Sequence, residues 1–283
     1  MKNINLQLYS LGFEDRSPLA RKFETIAAMG FTGVEFFASL YDNLSPDEMK
    51  KALADAGLQA VSSHVALQSM EKDIPYLAAI GARLVVCPMA DFANEDETFE
   101  LAEQLNRYGK LAREYGLKLG YHNHTQEFYE VNGKPLLDLL MENTDPEVVG
   151  LELDCGWCSC AGIDPVAYIQ KHAGRVIAIH VKENNGILGP DQPHSMHAEK
   201  ESPVIFGADG SITFKPEFLR VKQIKDALNV ATGSGIVDWR AVRAAADAQG
   251  EVHYFVEREA NYDPALDRLA CIAGDARWVI ANM

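Results

Sequence analysis

The sequence lacks several things, and each absence removes a class of protein. It has five cysteines in 283 residues, too few and too unevenly placed for a disulfide framework. Three of them fall in "LELDCGWCSC" (Leu151–Cys160), which supplies one Cys-x-x-Cys with no second pair, because Cys87 and Cys271 stand alone. A structural zinc normally takes four thiolate or imidazole ligands in paired groups, so these cysteines read as packing residues. No stretch approaches the ~20 apolar residues of a membrane span. Positive charge is scarce: 26 Lys and Arg against 41 Asp and Glu give a net charge of −15, a field that repels phosphate backbones and anionic lipid. Nucleic acid and membrane surfaces are therefore poor partners. The opening "MKNINLQLYSLG" alternates polar with apolar residues and reads as a first strand rather than a signal peptide. With unpaired cysteines, the expectation is a reduced, cytoplasmic protein.

What is present is a regular alternation. Eight β-rich runs begin at Ile4, Gly33, Leu58, Arg83, Leu117, Val148, Arg175 and Val252, with amphipathic helical segments between most of them. "SPLARKFETIAAMG" offers a serine cap, a proline at the first helical position and a terminal glycine; "SPDEMKKALADAG" repeats that plan with Gly57 at its end. Eight strands each followed by a helix predict a single (β/α)₈ barrel across residues 1–283, a fold that often occupies about 250 residues. No glycine-rich phosphate turn follows the first strand, which argues against a doubly wound sheet. One connection is far too long for an ordinary βα loop, spanning about residues 183–237 and carrying a helical stretch, "KPEFLRVKQIKDALN". Long excursions on the strand-exit side serve as lids or as contacts, so a homo-oligomer stays open beside a monomer.

Strand alternation assigns faces. Ile177, Ile179 and Val181 share one face and Ala178, His180 and Lys182 the other; Glu152 pairs with Asp154, His122 with His124, and Phe255 with Glu257 and Glu259. Most of these polar residues lie at the C-terminal ends of their strands, where barrels place their chemistry. Buried charges gathered there need a partner, and an oxygen-rich set with imidazole suits Mn²⁺, Mg²⁺, Co²⁺ or Fe²⁺, with Zn²⁺ also possible. Manganese is the leading expectation.

The runs "GYHNHTQEF", "GLELDCGW", "IAIHVKE", "GSGIVDW" and "YFVERE", in that order along the chain, resemble the sugar isomerase/epimerase family with the xylose isomerase-like barrel. That group includes tagatose/psicose 3-epimerase-type enzymes, hydroxypyruvate isomerase and inosose dehydratase. The resemblance implies a metal held by Asp154, His180 and Glu257. Its fourth ligand, a glutamate on the fifth strand in many members, has no direct counterpart in "YHNH"; Glu127 just beyond is preferred, with His122 as the alternative. It further implies a small sugar or keto-sugar as substrate and proton abstraction beside a carbonyl, with Glu257 and Glu127 or His122 moving the proton. Isomerisation or epimerisation leads, and β-elimination is the alternative because the paired glutamates of the family are not both in place. Glu35, His64, His124, Trp157 and Lys182 are the expected substrate contacts. An endonuclease for abasic DNA shares this architecture, but it requires a basic face that a charge of −15 does not suggest.

Overall fold

The computed structural model describes residues 3–12, 17–199, 204–206 and 212–283. Its centre is a closed barrel of eight parallel strands. In chain order these are β1 (Asn5–Gln7), β2 (Gly33–Phe37), β3 (Gln59–His64) and β4 (Leu84–Cys87), followed by β5 (Lys118–His122), β6 (Val149–Asp154), β7 (Val176–Val181) and β8 (His253–Val256). Each pairs with its sequence neighbours, and β8 closes onto β1 through Asn5↔Phe255 and Leu6↔Val256.

Helices coat the outside: α1 (Leu19–Ala28), α2 (Pro46–Ala56), α3 (Met70–Ile80), α4 (Glu95–Glu114) and α5 (Leu136–Asn143). Then come α6 (Cys155–Cys160), α7 (Pro165–Lys171), α8 (Pro216–Leu228), α9 (Trp239–Asp247) and α10 (Arg268–Asn282). Among the described residues, no helix is long and apolar enough to cross a membrane.

Local chemistry explains most boundaries. Ser45 and Glu48 form a reciprocal capping box at the start of α2, and Gly57 ends it in the left-handed conformation at φ 72°. Asn94 caps α4, whose first turn carries Glu95, Asp96 and Glu97 against the helix dipole. The expected serine cap of α1 is not what forms. Pro18 occupies the N-cap with no side-chain bond, and the Leu19 amide is taken instead by Asp42 Oδ2 at 2.7 Å.

The core has two parts. A large apolar shell lies between strands and helices, and a small plug of Val61, Leu84, Val86, Ile177, Ala178 and Phe255 fills the barrel itself. Ile177 departs from the expected alternation. A register shift between Leu151 and Glu152 in the β6–β7 pairing turns it inward, and the space it needs is left by Gly150, where a Cβ would sit 2.6 Å from its Cγ2.

The excursion between β7 and α9 is tied off at its base. Glu183 accepts from Gly233 N at 3.0 Å, Val237 N at 3.3 Å and Trp239 Nε1 at 2.6 Å, so the chain leaves and returns at one point. Within it, Asp191 takes both Thr125 Oγ1 and Lys225 Nζ, and Glu97 takes Ser195 Oγ and the Met196 amide. The expected helical stretch is α8; part of "EKESPVIFGADGS" lies outside the described residues. Val204–Phe206 and Ile212–Phe214 form a two-stranded antiparallel ribbon there.

Candidate active site

Above the apolar plug, the strand ends converge on two stacked polar layers. The deeper one holds Gln7, Glu35, His64 and Glu152. Glu35 Oε2 accepts from Gln7 Nε2 at 2.6 Å and from His180 Nε2 at 2.8 Å. Glu152 Oε2 lies 2.7 Å from His64 Nε2, 3.2 Å from His122 Nδ1 and 3.3 Å from His180 Nε2. Both carboxylates are completely buried. Burial and the neighbouring Glu152 raise Glu35, whereas Glu152, despite its burial, is drawn well below the usual carboxylate range by His180 and His64.

The upper layer holds Asp154, Glu257 and Lys182, with the far nitrogens of His122 and His180. His180 Nδ1 is 3.2 Å from Glu257 Oε2 and 3.9 Å from Asp154 Oδ2; His122 Nε2 is also 3.9 Å from Asp154 Oδ2. Asp154 is fixed from both sides. Its backbone amide donates to Asn123 Oδ1 at 2.9 Å, and its Oδ1 caps α6 by accepting from Trp157 N at 2.8 Å. That leaves Asp154 Oδ2 buried without a hydrogen-bond partner, and burial pushes this carboxyl up to about 7. Burial would lower Lys182, but Glu257 and Glu259 outweigh it and raise it, so the ammonium is retained. Burial, then His180, brings His122 of β5 down to about 3, and burial, then His122, puts His124 just past the strand well below its usual value.

Among the described residues, two groups of ligand atoms lie within 4.8 Å of one another: Asp154, His180 and Glu257, and, deeper, His64, His122, Glu152 and His180. The first contains two carboxylates and an imidazole around the orphaned Asp154 oxygen, a donor set and an unmet charge that a divalent cation satisfies. A buried His, Glu and Asp cluster able to bind such an ion is thus present.

Glu127 does not join either group. Its carboxylate is taken by the His124 amide at 2.8 Å, Tyr121 Oη at 3.0 Å and Gln126 Nε2 at 3.2 Å, and it braces the loop after β5 rather than facing Asp154. Of the expected substrate contacts, Glu35 is fully buried and bonded to His180, and His64, 8% exposed, stacks on the His180 ring and holds Glu152. Glu152 is the residue that the sequence placed on the inner face but assigned no role, because an acid two positions before Asp154 resembles a strand filler until its three imidazole neighbours are seen.

Trp157 and His124 line the outer edge, their rings 6.0 Å apart, and Lys182 Nζ sits 4.3 Å from the Trp157 ring centroid. Trp157 Nε1 and His124 Nδ1 have no hydrogen-bond partner among the described residues. Lys225 of the excursion reaches over the same indole at 5.5 Å. The cysteines of α6 are free, buried thiols, and none enters either ligand group. His172, which sequence position alone would assign to a helix dipole, bonds through Nε2 to Asp138 Oδ1 at 2.8 Å.

Comparison with known proteins bears on this geometry. The family described as xylose isomerase-like TIM barrel matches residues 23–278. An inosose dehydratase of Lactiplantibacillus plantarum is 32% identical over 191 residues, covering 58% of this chain and 62% of that protein. The curated relatives of this kind are matched over about half of their length or slightly more, from 49% to 62%. Among solved structures, a sugar phosphate isomerase/epimerase from Parabacteroides distasonis is similar in fold at 22% identity, with a TM-score of 0.75 over 99% of this chain and 98% of that one. The IolI protein, solved with a zinc atom bound, shares the fold at 13% identity and a TM-score of 0.69, over 99% and 97% of the two chains.

Proposed function

The chain belongs to the xylose isomerase-like TIM barrel family, and from that premise we propose that it is a divalent-metal-dependent enzyme that removes the proton beside a carbonyl of a sugar or keto-sugar. The observation that carries this reading is the meeting of Asp154, His180 and Glu257, from the ends of three consecutive barrel strands, around an unpartnered Asp154 oxygen. His122, whose Nε2 faces the same oxygen, is the proposed fourth ligand in place of Glu127. Mn²⁺ remains the preferred ion, with Mg²⁺, Co²⁺, Fe²⁺ and Zn²⁺ as alternatives suited to two carboxylates and two imidazoles. When bound, the ion would supply Lewis-acid stabilisation of the charge that develops on the carbonyl oxygen.

The surrounding residues divide the remaining work. Glu257, a carboxylate held ionised by Lys182 and His180 against its burial, can accept a proton. Lys182 can donate to an oxygen that gains negative charge. Trp157 Nε1 and His124 Nδ1 are free to bond to hydroxyl groups of the sugar, and the indole face offers a platform for its C–H surface.

Epimerisation needs similar bases on both sides of the reacting carbon. Here the two walls differ: neutral imidazoles of His122 and His124 face the Glu257, Lys182 and Glu259 charges. That asymmetry, with the likeness to inosose dehydratases, favours β-elimination of water or an aglycone over isomerisation. The two outcomes share the first proton abstraction.

Elemental mass spectrometry of the purified protein beside Asp154→Ala tests the ion. About one divalent ion per chain, lost in the variant, is expected; an ion retained without Asp154 overturns the assignment. Keto-sugars and inososes turned over in D₂O then separate the outcomes. Loss of water or an aglycone supports elimination, and a deuterated isomer with no fragment supports epimerisation.

A further inference from the structure

The deeper polar layer has no place in that chemistry, yet it contains two fully buried carboxylates. Each imidazole proposed as a ligand has two ring nitrogens, and the structure gives them different neighbours. His122 turns Nδ1 to Glu152 and Nε2 toward Asp154. His180 turns Nε2 to Glu35 and Glu152, and Nδ1 toward Asp154 and Glu257.

A carboxylate accepts hydrogen bonds and donates none, so the nitrogens that face Glu152 and Glu35 carry the protons. His122 Nε2, with no carboxylate at hydrogen-bond distance, is then the bare lone pair that metal ligation requires, whereas His180 Nδ1 also faces Glu257 at 3.2 Å and gives up its proton when an ion takes that place. We propose that Glu152, with Glu35 beside it, is a positioning residue that fixes both imidazoles in the orientation that turns His122 Nε2 and His180 Nδ1 toward the ion. Glu152 holds its own place through His64, whose Nε2 is 2.7 Å from the same oxygen and whose ring stacks on His180 with centroids 5.2 Å apart. Contacts of 2.7 Å from His64 Nε2 and 3.2 Å from His122 Nδ1 are N–H···O distances, which makes Glu152 Oε2 an acceptor for these rings.

The inference rests on the proposed metal dependence, and the experiment keeps the two apart. Wild type and Glu152→Gln are stripped of metal, titrated with Co²⁺ by visible absorption, and melted as apoproteins. Loss of an outer carboxylate of this kind weakens metal binding about 10–100-fold. The expected result is a Co²⁺ dissociation constant raised by that factor in an apoprotein that still melts cooperatively, at a lower temperature because the buried imidazoles have lost their carboxylate partner. Equal affinity in the two proteins overturns the proposal, as does an equal loss of affinity in Asp138→Ala, which removes a buried carboxylate and its ion pairs away from the site. Two ions in wild type and one in the variant also overturns it, by making Glu152 a ligand. A wild type that binds no ion overturns the metal dependence and this inference with it. If Glu152→Gln does not fold, Glu152→Asp, which keeps the charge but withdraws it from the rings, is expected to show the same loss of affinity.

Discussion

Lys182 shows what a single side chain contributes here. Its ammonium lies 3.4 Å from Glu257, pairs with Glu259 and covers the Trp157 ring, all within a nearly sealed space. Removing one partner of a buried ion pair leaves the other charge uncompensated, at a cost of ~3–5 kcal/mol. Lys182→Met is therefore expected to destabilise the apoprotein by about that amount in denaturant titration. Added divalent ion should recover part of the loss, because the cation neutralises the same carboxylates; no recovery would mean that the ion binds elsewhere. The roles of residues were only partly visible in the sequence. Asp154, His180 and Glu257 could be placed by strand position and resemblance, and the structure gathers them in one cluster. The direction of Glu127 could not be read from sequence, since a loop carboxylate five residues past its strand can point either way. Its direction is set by three donors, His124 N, Tyr121 Oη and Gln126 Nε2, that exist only in the folded loop.

At the scale of elements, "GSGIVDW" now has a physical meaning. It is the return of the long excursion. A Cβ on Gly233 would sit 2.0 Å from the Trp278 ring at a backbone φ of +82°, and one on Gly235 would sit 2.0 Å from Asn184 O. Gly233→Ala is expected to lower stability by ~1–3 kcal/mol, read as a lower thermal midpoint, through overpacking and left-handed strain together. An unchanged midpoint would mean that the excursion does not depend on this close approach. Strands were the legible elements, because alternation over four to eight residues is a strong signal; "GVEFF" coincides with β2 residue for residue. What alternation could not show was the register shift beside Glu152, which turns Ile177 inward, since a bulge changes pairing without changing composition. The start of α1 was also misplaced, because the Asp42 carboxylate that takes the Leu19 amide comes from a distant loop. The short ribbon of Val204–Phe206 and Ile212–Phe214 likewise has no pattern long enough to read.

The whole molecule depends on pH through groups outside the barrel as well. Asp138 on α5 is buried and bonded to Tyr168 Oη at 2.9 Å, to His172 Nε2 at 2.8 Å and to Lys171, clamping α5 to α7. Burial would raise its carboxyl, but these three partners bring it down to about 2 from 3.8. A depressed folded value means that the clamp stabilises fully above about pH 4 and fades as the pH falls toward 2. Asp138→Ala is expected to cost ~1.5–3 kcal/mol at pH 6, and less at pH 2.5, in paired urea titrations; a pH-independent difference would remove the charge from the explanation. The barrel's own plug has a different consequence. Val61, Leu84, Val86, Ile177 and Phe255 close the tube from below, so the polar layers above them form a well with a floor. Whatever settles deepest in a well must arrive first and leave last. The proposed ion at the strand ends and the proposed sugar over it would thus be queued by shape alone: the ion would load before the sugar, and each turnover would empty the upper berth without disturbing the lower.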